Sequence, residues 1–258
     1  MIETKHVLTE RQLREYQRDG FVVVRQMYSP SEMTEISAAI NRLSELVSNP
    51  PASGGLYYLE DDLKNPGRRI LSRIEKFAEA DETLRKLIYG ERMIATSRQL
   101  LGDAPVLFKE KINFKLAGGG GFKPHQDIQP GWDEYAPYFL SVLVTIDRSD
   151  ETNGCLELAA GHHTRGMFGR KWKPLEGAEL DGLNFVKYPM MPGDVAFFDC
   201  FTPHQSEANM TEKPRRNLYL TFNRQRDGDH RERYFADKRR SYPPDNEREP
   251  GKSYVFRV

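Results

Sequence analysis

Three residues of metal-binding type stand out in the sequence, His125, Asp127 and His204. Two imidazoles and one carboxylate are the ligand set of non-haem Fe(II) oxygenases, where they hold one face of an octahedron and leave three positions open. Residues two apart on a β-strand point to the same side, so His125 and Asp127 can reach one metal while Gln126 faces away. The third ligand must come from another strand. The spacing therefore predicts oxygen-activating chemistry.

The segments around these residues give the motif its context, because a His-x-Asp pair alone is a weak signal. Residues 193–199 predict a turn followed by a strand that ends shortly before His204. Residues 216–223 predict a further strand, in which Leu218, Leu220 and Phe222 alternate onto one face. Strands of this kind could bring the third ligand to the other two.

Composition excludes several classes of protein. The 258 residues contain 38 basic and 38 acidic side chains, so the formal net charge is zero. This balance argues against a partner held by bulk electrostatics, such as nucleic acid or an acidic membrane surface. The two cysteines indicate no disulfide framework, and the sequence shows no apolar signal core or membrane span. We expect a soluble cytoplasmic protein.

The hydrophobic period changes partway along the chain. Capping signals at Thr9 and Ser29 precede helical spacing of apolar residues, whereas a period of two begins at Pro105. We expect one domain over residues 1–258, with a helical part over about 1–104, a barrel core over about 105–225 and a C-terminal tail. The predicted fold is mainly β with flanking α-helices, a double-stranded β-helix of the jelly-roll or cupin type.

Several segments together resemble the phytanoyl-CoA dioxygenase family of Fe(II)/2-oxoglutarate oxygenases. Residues 16–23, the motif at 125–127, the segments 153–156 and 161–166, and the motifs at 192–194 and 203–204 occur in the order of that family. The resemblance covers nearly the whole chain. It implies that His125, Asp127 and His204 bind iron, and that 2-oxoglutarate and O2 are cosubstrates. Because Asp127 is retained, it favours hydroxylation over halogenation.

The resemblance also implies a binding site for 2-oxoglutarate. Arg215 follows His204 at the distance where the family places the arginine for the distal carboxylate, and Ser206 is its helper. A planar guanidinium can pair with a carboxylate through two hydrogen bonds. The next residue, Arg216, should point to the opposite face of the strand. Asn113 and Lys111 lie on a strand that often lines the cosubstrate pocket, although a purely structural role for Lys111 stays open.

Residues 111–115, 121–127, 234–238 and 242–245 resemble family members that hydroxylate 2-aminoethylphosphonate to 2-amino-1-hydroxyethylphosphonate in phosphonate catabolism. The expected partner is thus a small zwitterion, and the sequence does not indicate an oligomeric state. Lys115 and Lys123 are candidates for the anion, since phosphonate favours basic donors. Gln129 could meet the ammonium group, and Trp132 could form an apolar or cation–π wall.

Three alternatives remain at this stage. The first is a hydroxylase of the same class that acts on another zwitterion, such as ectoine, or on a secondary metabolite. The second is a cupin-type metal-dependent isomerase or binding protein, which would not need Arg215. The third is a non-catalytic β-barrel interaction module whose histidines are structural.

Overall fold

The computed structural model describes residues 8–49 and 55–254. Their helices and strands follow in chain order. They are α1 (Glu10–Asp19), β1 (Phe21–Val24), α2 (Pro30–Glu45), β2 (Leu56–Asp61), β3 (Arg69–Glu75), α3 (Glu82–Tyr89), α4 (Glu91–Leu101), β4 (Pro105–Lys115), β5 (Phe122–His125), β6 (Leu140–Thr145), β7 (Leu156–Ala159), β8 (Phe185–Tyr188), β9 (Val195–Asp199), β10 (His204–Ser206), β11 (Arg215–Arg224) and α5 (Arg231–Ser241).

The strands form two antiparallel sheets. The major sheet has seven strands in the order β1-β9-β6-β11-β4-β3-β2, and the minor sheet has four in the order β5-β10-β7-β8. Apolar side chains join them face to face, among them Leu143 and Phe198 of the major sheet and Leu158 of the minor sheet. This two-sheet arrangement is the predicted double-stranded β-helix, so the fold prediction is confirmed.

Helices α1 to α4 cover the outer face of the major sheet. Thr9 and Ser29 both form the predicted capping boxes, which satisfy backbone N–H groups at the starts of α1 and α2. Helix α2 buries one face that includes Met33 and Ile40, as its helical spacing indicated. The outward residues of β11, such as Leu218, belong to the same apolar cluster. No helix within residues 8–49 and 55–254 is long and apolar enough to cross a membrane.

The opposite face of the major sheet is polar where β4 and β11 pair. The register sets Lys115 opposite Arg215, Lys111 opposite Tyr219 and Lys109 opposite Thr221. Residues at every second position share a face, so these side chains point together into the space between the sheets. Burying an unpaired charge is costly, so a row of cations on the inner face of a barrel indicates a binding site for a group of opposite charge.

Three features of the fold differ from the expectation. The N-terminal part, expected to be helical, also contains the strands β1, β2 and β3. Strand β3 was not predicted because its charged residues indicate a surface segment. In the structure Arg73 and Glu75 are buried as an ion pair at 2.8 Å. Strand β8 was not predicted. The tail contains a helix, α5, whose residues Tyr234 and Phe235 are buried.

Candidate active site

The two histidines face each other across neighbouring strands. His125 ends β5 and His204 begins β10, and the two residues are directly paired in the antiparallel register. The sequence suggested that Asp127 lies on the same strand as His125. In the structure Asp127 lies in the turn that follows this strand. The chain turns there because the backbone N–H of Gln129 donates to the carbonyl of Gln126 at 3.0 Å. Even so, one potential ligand atom from each of the three residues lies within 4.8 Å of the others. We call these three residues the metal triad.

Hydrogen bonds orient the triad. Nδ1 of His125 bonds to the carbonyl of Lys123 at 2.7 Å, and Nδ1 of His204 to the carbonyl of Thr202 at 3.0 Å. A carbonyl can only accept, so both rings carry a proton on Nδ1 and direct Nε2 towards Asp127. These Nε2 atoms lie 3.9 Å and 3.8 Å from one oxygen of Asp127. The Ser141 hydroxyl donates to the other oxygen of Asp127.

The charge states suit a divalent metal. Burial acts to raise the pKa of the Asp127 carboxyl, but the facing imidazoles outweigh burial and this pKa falls to about 2. Burial and the nearby ring of His204 lower the pKa of His125 to about 3. A carboxylate and neutral imidazoles are the protonation states that metal binding requires. The donor set, its closeness and its orientation thus fit Fe(II).

A pair of buried cations lies at one end of the inner face. Arg215 is 3 % exposed and Lys115 is 2 % exposed. Among the described residues, no carboxylate forms an ion pair with either of them, and Nε of Arg215 has no hydrogen-bond partner. The Lys115 ammonium donates to Ser206 Oγ at 2.8 Å, and Arg215 Nη1 donates to Ser149 Oγ at 3.4 Å. Burial and the neighbouring guanidinium lower the pKa of Lys115 to about 6. This end of the site fits a carboxylate ligand.

A second group of cations lies further along the inner face. We call Arg73, Lys109, Lys111 and Lys238 the inner cations. Glu75 forms ion pairs with Arg73 and Lys238, whereas neither Lys109 nor Lys111 has an ion pair among the described residues. Their ammonium groups instead lie near aromatic rings, with Lys109 Nζ 4.0 Å from the ring of Trp132. Burial lowers the pKa of Lys109 well below its usual value. An anionic ligand would relieve this surplus of positive charge.

An open cleft of about 370 Å³ leads to the triad. His125 lies in its wall, and side chains of opposite charge, Glu60 and Arg73, also line it. Aromatic side chains form much of the remaining wall, and they are Tyr58, Phe122, Trp172 and Tyr242. A concave site with a few convergent polar groups is the usual form of a small-molecule pocket.

The residues predicted to bind 2-oxoglutarate fall together on the inner face. Lys115 connects Arg215 and Ser206, because it lies opposite Arg215 in the sheet and its ammonium group donates to Ser206. The sequence interpretation had assigned Lys115 to the substrate. Asn113 is buried and its Oδ1 has no hydrogen-bond partner among the described residues. Lys111 lies near the rings of Tyr219 and Phe122. Arg216 points away, as expected, and forms an ion pair with Asp147 at 2.8 Å.

The predicted substrate contacts are more scattered. Lys123 is exposed on the wall of the cleft. The amide of Gln129 is occupied by the backbone, since Nε2 donates to the carbonyls of Arg170 and Lys173 at 2.9 Å and 2.7 Å. Trp132 is buried in an aromatic cluster. The contacts of Gln129 and Trp132 are those of residues that hold the structure, and their role in substrate binding stays untested.

Some site residues escaped the sequence interpretation. A signal for Lys109 was present, because it falls in the same period-two series as Lys111, Asn113 and Lys115. Glu60, Arg73 and Lys238 carried no signal, because charged residues in short polar segments are usually exposed.

A double-stranded β-helix that carries two histidines and one carboxylate at its open end defines the class of non-haem iron oxygenases. The phytanoyl-CoA dioxygenase (PhyH) family model matches residues 16–217. The chain belongs to the phytanoyl-CoA dioxygenase family, and the predicted enzyme class is confirmed. It is a non-haem Fe(II)/2-oxoglutarate-dependent dioxygenase.

Two relatives are similar over most of the chain. The 2-aminoethylphosphonate dioxygenase of uncultured bacterium HF130_AEPn_1 is 33 % identical over 95 % of this chain and 93 % of its own length. The methylphosphonate hydroxylase of Gimesia maris is 31 % identical over 91 % of this chain and 88 % of its own length. The crystal structure of EctD from S. alaskensis with 2-oxoglutarate and 5-hydroxyectoine has a TM-score of 0.74 at 23 % identity, and the match covers 86 % of this chain and 78 % of that one. This likeness supports the fold.

Proposed function

We propose that this dioxygenase hydroxylates a small zwitterionic organophosphonate, with 2-aminoethylphosphonate as the substrate and 2-amino-1-hydroxyethylphosphonate as the product. The metal triad would hold Fe(II). When bound, the metal would supply the site of oxygen activation, which is coupled to the oxidative decarboxylation of 2-oxoglutarate. The protein contributes binding, orientation and exclusion of water.

In this proposal Arg215, Lys115 and Ser206 hold the distal carboxylate of 2-oxoglutarate. A buried guanidinium with an unpartnered Nε, next to a buried ammonium, suits a carboxylate that brings its own negative charge. Lys115 is therefore assigned to the cosubstrate instead of the substrate. Asn113, next along the same face of β4, would line the rest of the cosubstrate pocket. Lys111, which was predicted for the cosubstrate, is assigned with the other inner cations to the substrate instead.

The observation that carries the substrate class is the surplus of the inner cations. Lys109 and Lys111 have no carboxylate partner among the described residues, whereas Arg73 and Lys238 both pair with Glu75. A phosphonate group brings up to two negative charges and three acceptor oxygens, which basic donors bind well. The two phosphonate-acting relatives support the same class.

The cation pair and the inner cations are far enough apart to serve different ligands. Lys115 and Lys109 are six positions apart on β4, which corresponds to about 20 Å between their backbones at 3.3–3.4 Å per residue. A carboxylate at the first group and a phosphonate at the second would approach the triad from different directions. The carbon next to phosphorus would then be the one nearest the metal.

The test is a reaction of the iron-loaded enzyme with 2-oxoglutarate and oxygen, followed by phosphorus NMR and a succinate assay. With 2-aminoethylphosphonate we expect a new phosphorus resonance and succinate in equal amounts. Methylphosphonate and ectoine are run in parallel. If ectoine stimulates succinate formation while the phosphonates leave it at the background rate, the enzyme class stands and the substrate proposal fails.

A further inference from the structure

The cleft beside His125 has charged groups of both signs. Glu60, on β2, and Arg73, on β3, line the same cleft of about 370 Å³. Arg73 belongs to the inner cations, and its guanidinium lies 4.4 Å from the ring of Tyr58. A cleft with a carboxylate and a cationic wall is complementary to a zwitterion, because each charge of the ligand finds a group of opposite sign.

Glu60 is poorly compensated for a carboxylate in this position. It is half-buried, and burial raises the pKa of its carboxyl, although the backbone N–H of Gly120 and the charge of Arg73 act in the opposite direction. Within the described part of the chain it forms no ion pair within 4.0 Å. An ammonium group placed in the cleft would therefore stabilise the charged form of Glu60.

Trp172 lies in the wall of the same cleft and is unusually constrained. It remains 40 % exposed, and its φ of 65° lies in the left-handed region, which is strained for a tryptophan. Its backbone N–H donates to the carbonyl of Gln129 at 3.0 Å. A Cβ on Gly131 would lie 2.5 Å from the indole, so only glycine allows the ring this position. The fold thus holds a partly exposed indole in the wall of the cleft, where it could contact a bound cation.

We propose that Glu60 and Trp172 bind the ammonium group of the substrate and so select aminoalkylphosphonates over phosphonates that lack an amine. This proposal rests on the proposed function, since it concerns the other end of the same substrate. Glu60 would accept a charged hydrogen bond, and the indole of Trp172 would provide a cation–π face. The phosphonate would extend from there past Arg73 towards the remaining inner cations.

Selection follows from the cost of leaving Glu60 without its partner. A substrate with no amine would bury the carboxylate against a methyl or ethyl group, and it would gain nothing in return. Sites built to hydrogen-bond a charged group reject analogues that lack it more strongly than apolar pockets reject a change in size. The carboxylate therefore acts as the specificity determinant, and the inner cations serve any phosphonate equally.

The experiment compares kcat/KM for 2-aminoethylphosphonate and ethylphosphonate in the iron-loaded enzyme. The two compounds share a carbon chain and differ only in the amine. We expect Glu60→Gln to reduce kcat/KM for 2-aminoethylphosphonate by about 10- to 100-fold, the range for a lost hydrogen bond to a charged group. Activity on ethylphosphonate should stay the same or rise. Trp172→Leu should reduce the preference in the same direction by a smaller factor.

Asp61→Asn is the matched control, because Asp61 is an exposed neighbour on the same strand whose nearest cation is Arg69 at 3.8 Å. It should leave both substrates unaffected. An unchanged preference in Glu60→Gln, or an equal loss with both substrates, overturns the proposal. Anaerobic calorimetry with 2-aminoethylphosphonate gives the same comparison as binding affinity. If the wild-type enzyme turns over neither phosphonate, the proposed function itself fails, and this outcome is visible before any variant is made.

Discussion

Replacing Arg215 by alanine should weaken 2-oxoglutarate binding by a defined amount. Truncating one partner of a buried, hydrogen-bonded charge pair costs about 2–5 kcal/mol. The lower part of that range applies here, because Lys115 lies opposite Arg215 and would remain as a second cation. A loss of about 2–3 kcal/mol corresponds to a rise in Kd of about 30- to 150-fold, since each 1.4 kcal/mol is tenfold.

The assay is an anaerobic titration of the Fe(II) enzyme with 2-oxoglutarate, which is followed by the visible charge-transfer band. Arg216→Ala is the control, because this neighbour points to the other face and pairs with Asp147. It should change Kd by less than about twofold. Fe(II) affinity without 2-oxoglutarate should be equal in both variants and the wild type. A larger rise in Kd with Arg216→Ala than with Arg215→Ala would refute the assignment of the carboxylate site.

Three further predictions concern the metal, the inner cations and helix α5. An alanine at any position of the metal triad should abolish Fe(II) binding and succinate formation, and wild-type turnover in one variant would remove that residue from the ligand set. Lys109→Met should weaken substrate binding about tenfold or more yet raise the free energy of unfolding by about 1 kcal/mol, because it removes a buried cation. A drop in stability in thermal denaturation would contradict this. Arg231→Ala should lower the free energy of unfolding by about 3–5 kcal/mol, because it leaves Glu110 buried without its partner. Urea denaturation against the exposed control Arg233→Ala measures the difference.

The sequence predicted the parts of the fold whose signals are local. Period-two spacing identified most of β4, β6 and β11, and capping residues identified the starts of α1 and α2. The major exceptions are β2 and β3, and β3 carries charged residues that are buried. Arg73 and Glu75 neutralise each other there, a pairing that depends on the folded arrangement and leaves no periodic pattern.

The same limit applies to the site. The closeness of His125, Asp127 and His204 could be predicted because the chemistry of iron restricts the choice of ligands, and their role as iron ligands stays a prediction. The side-chain partners of Gln129 could not, since its amide is occupied by backbone carbonyls from residues about forty positions away. Lys238 reaches the inner face from α5. Only the folded chain shows that this lysine lies near β4.

Strand β10 is three residues long and carries one residue of the metal triad and one residue of the proposed carboxylate site. His204 at its start belongs to the triad, and Ser206 at its end contacts the ammonium of Lys115. Two residues of extended chain span about 7 Å, so in the proposed arrangement the backbone limits the separation between the metal and the carboxylate. In this arrangement the strand would limit the length of the keto acid that can bind both sites. Oxaloacetate, one methylene shorter than 2-oxoglutarate, should support turnover less well, because it cannot reach both proposed ends without a shift of the side chains that hold its carboxylate.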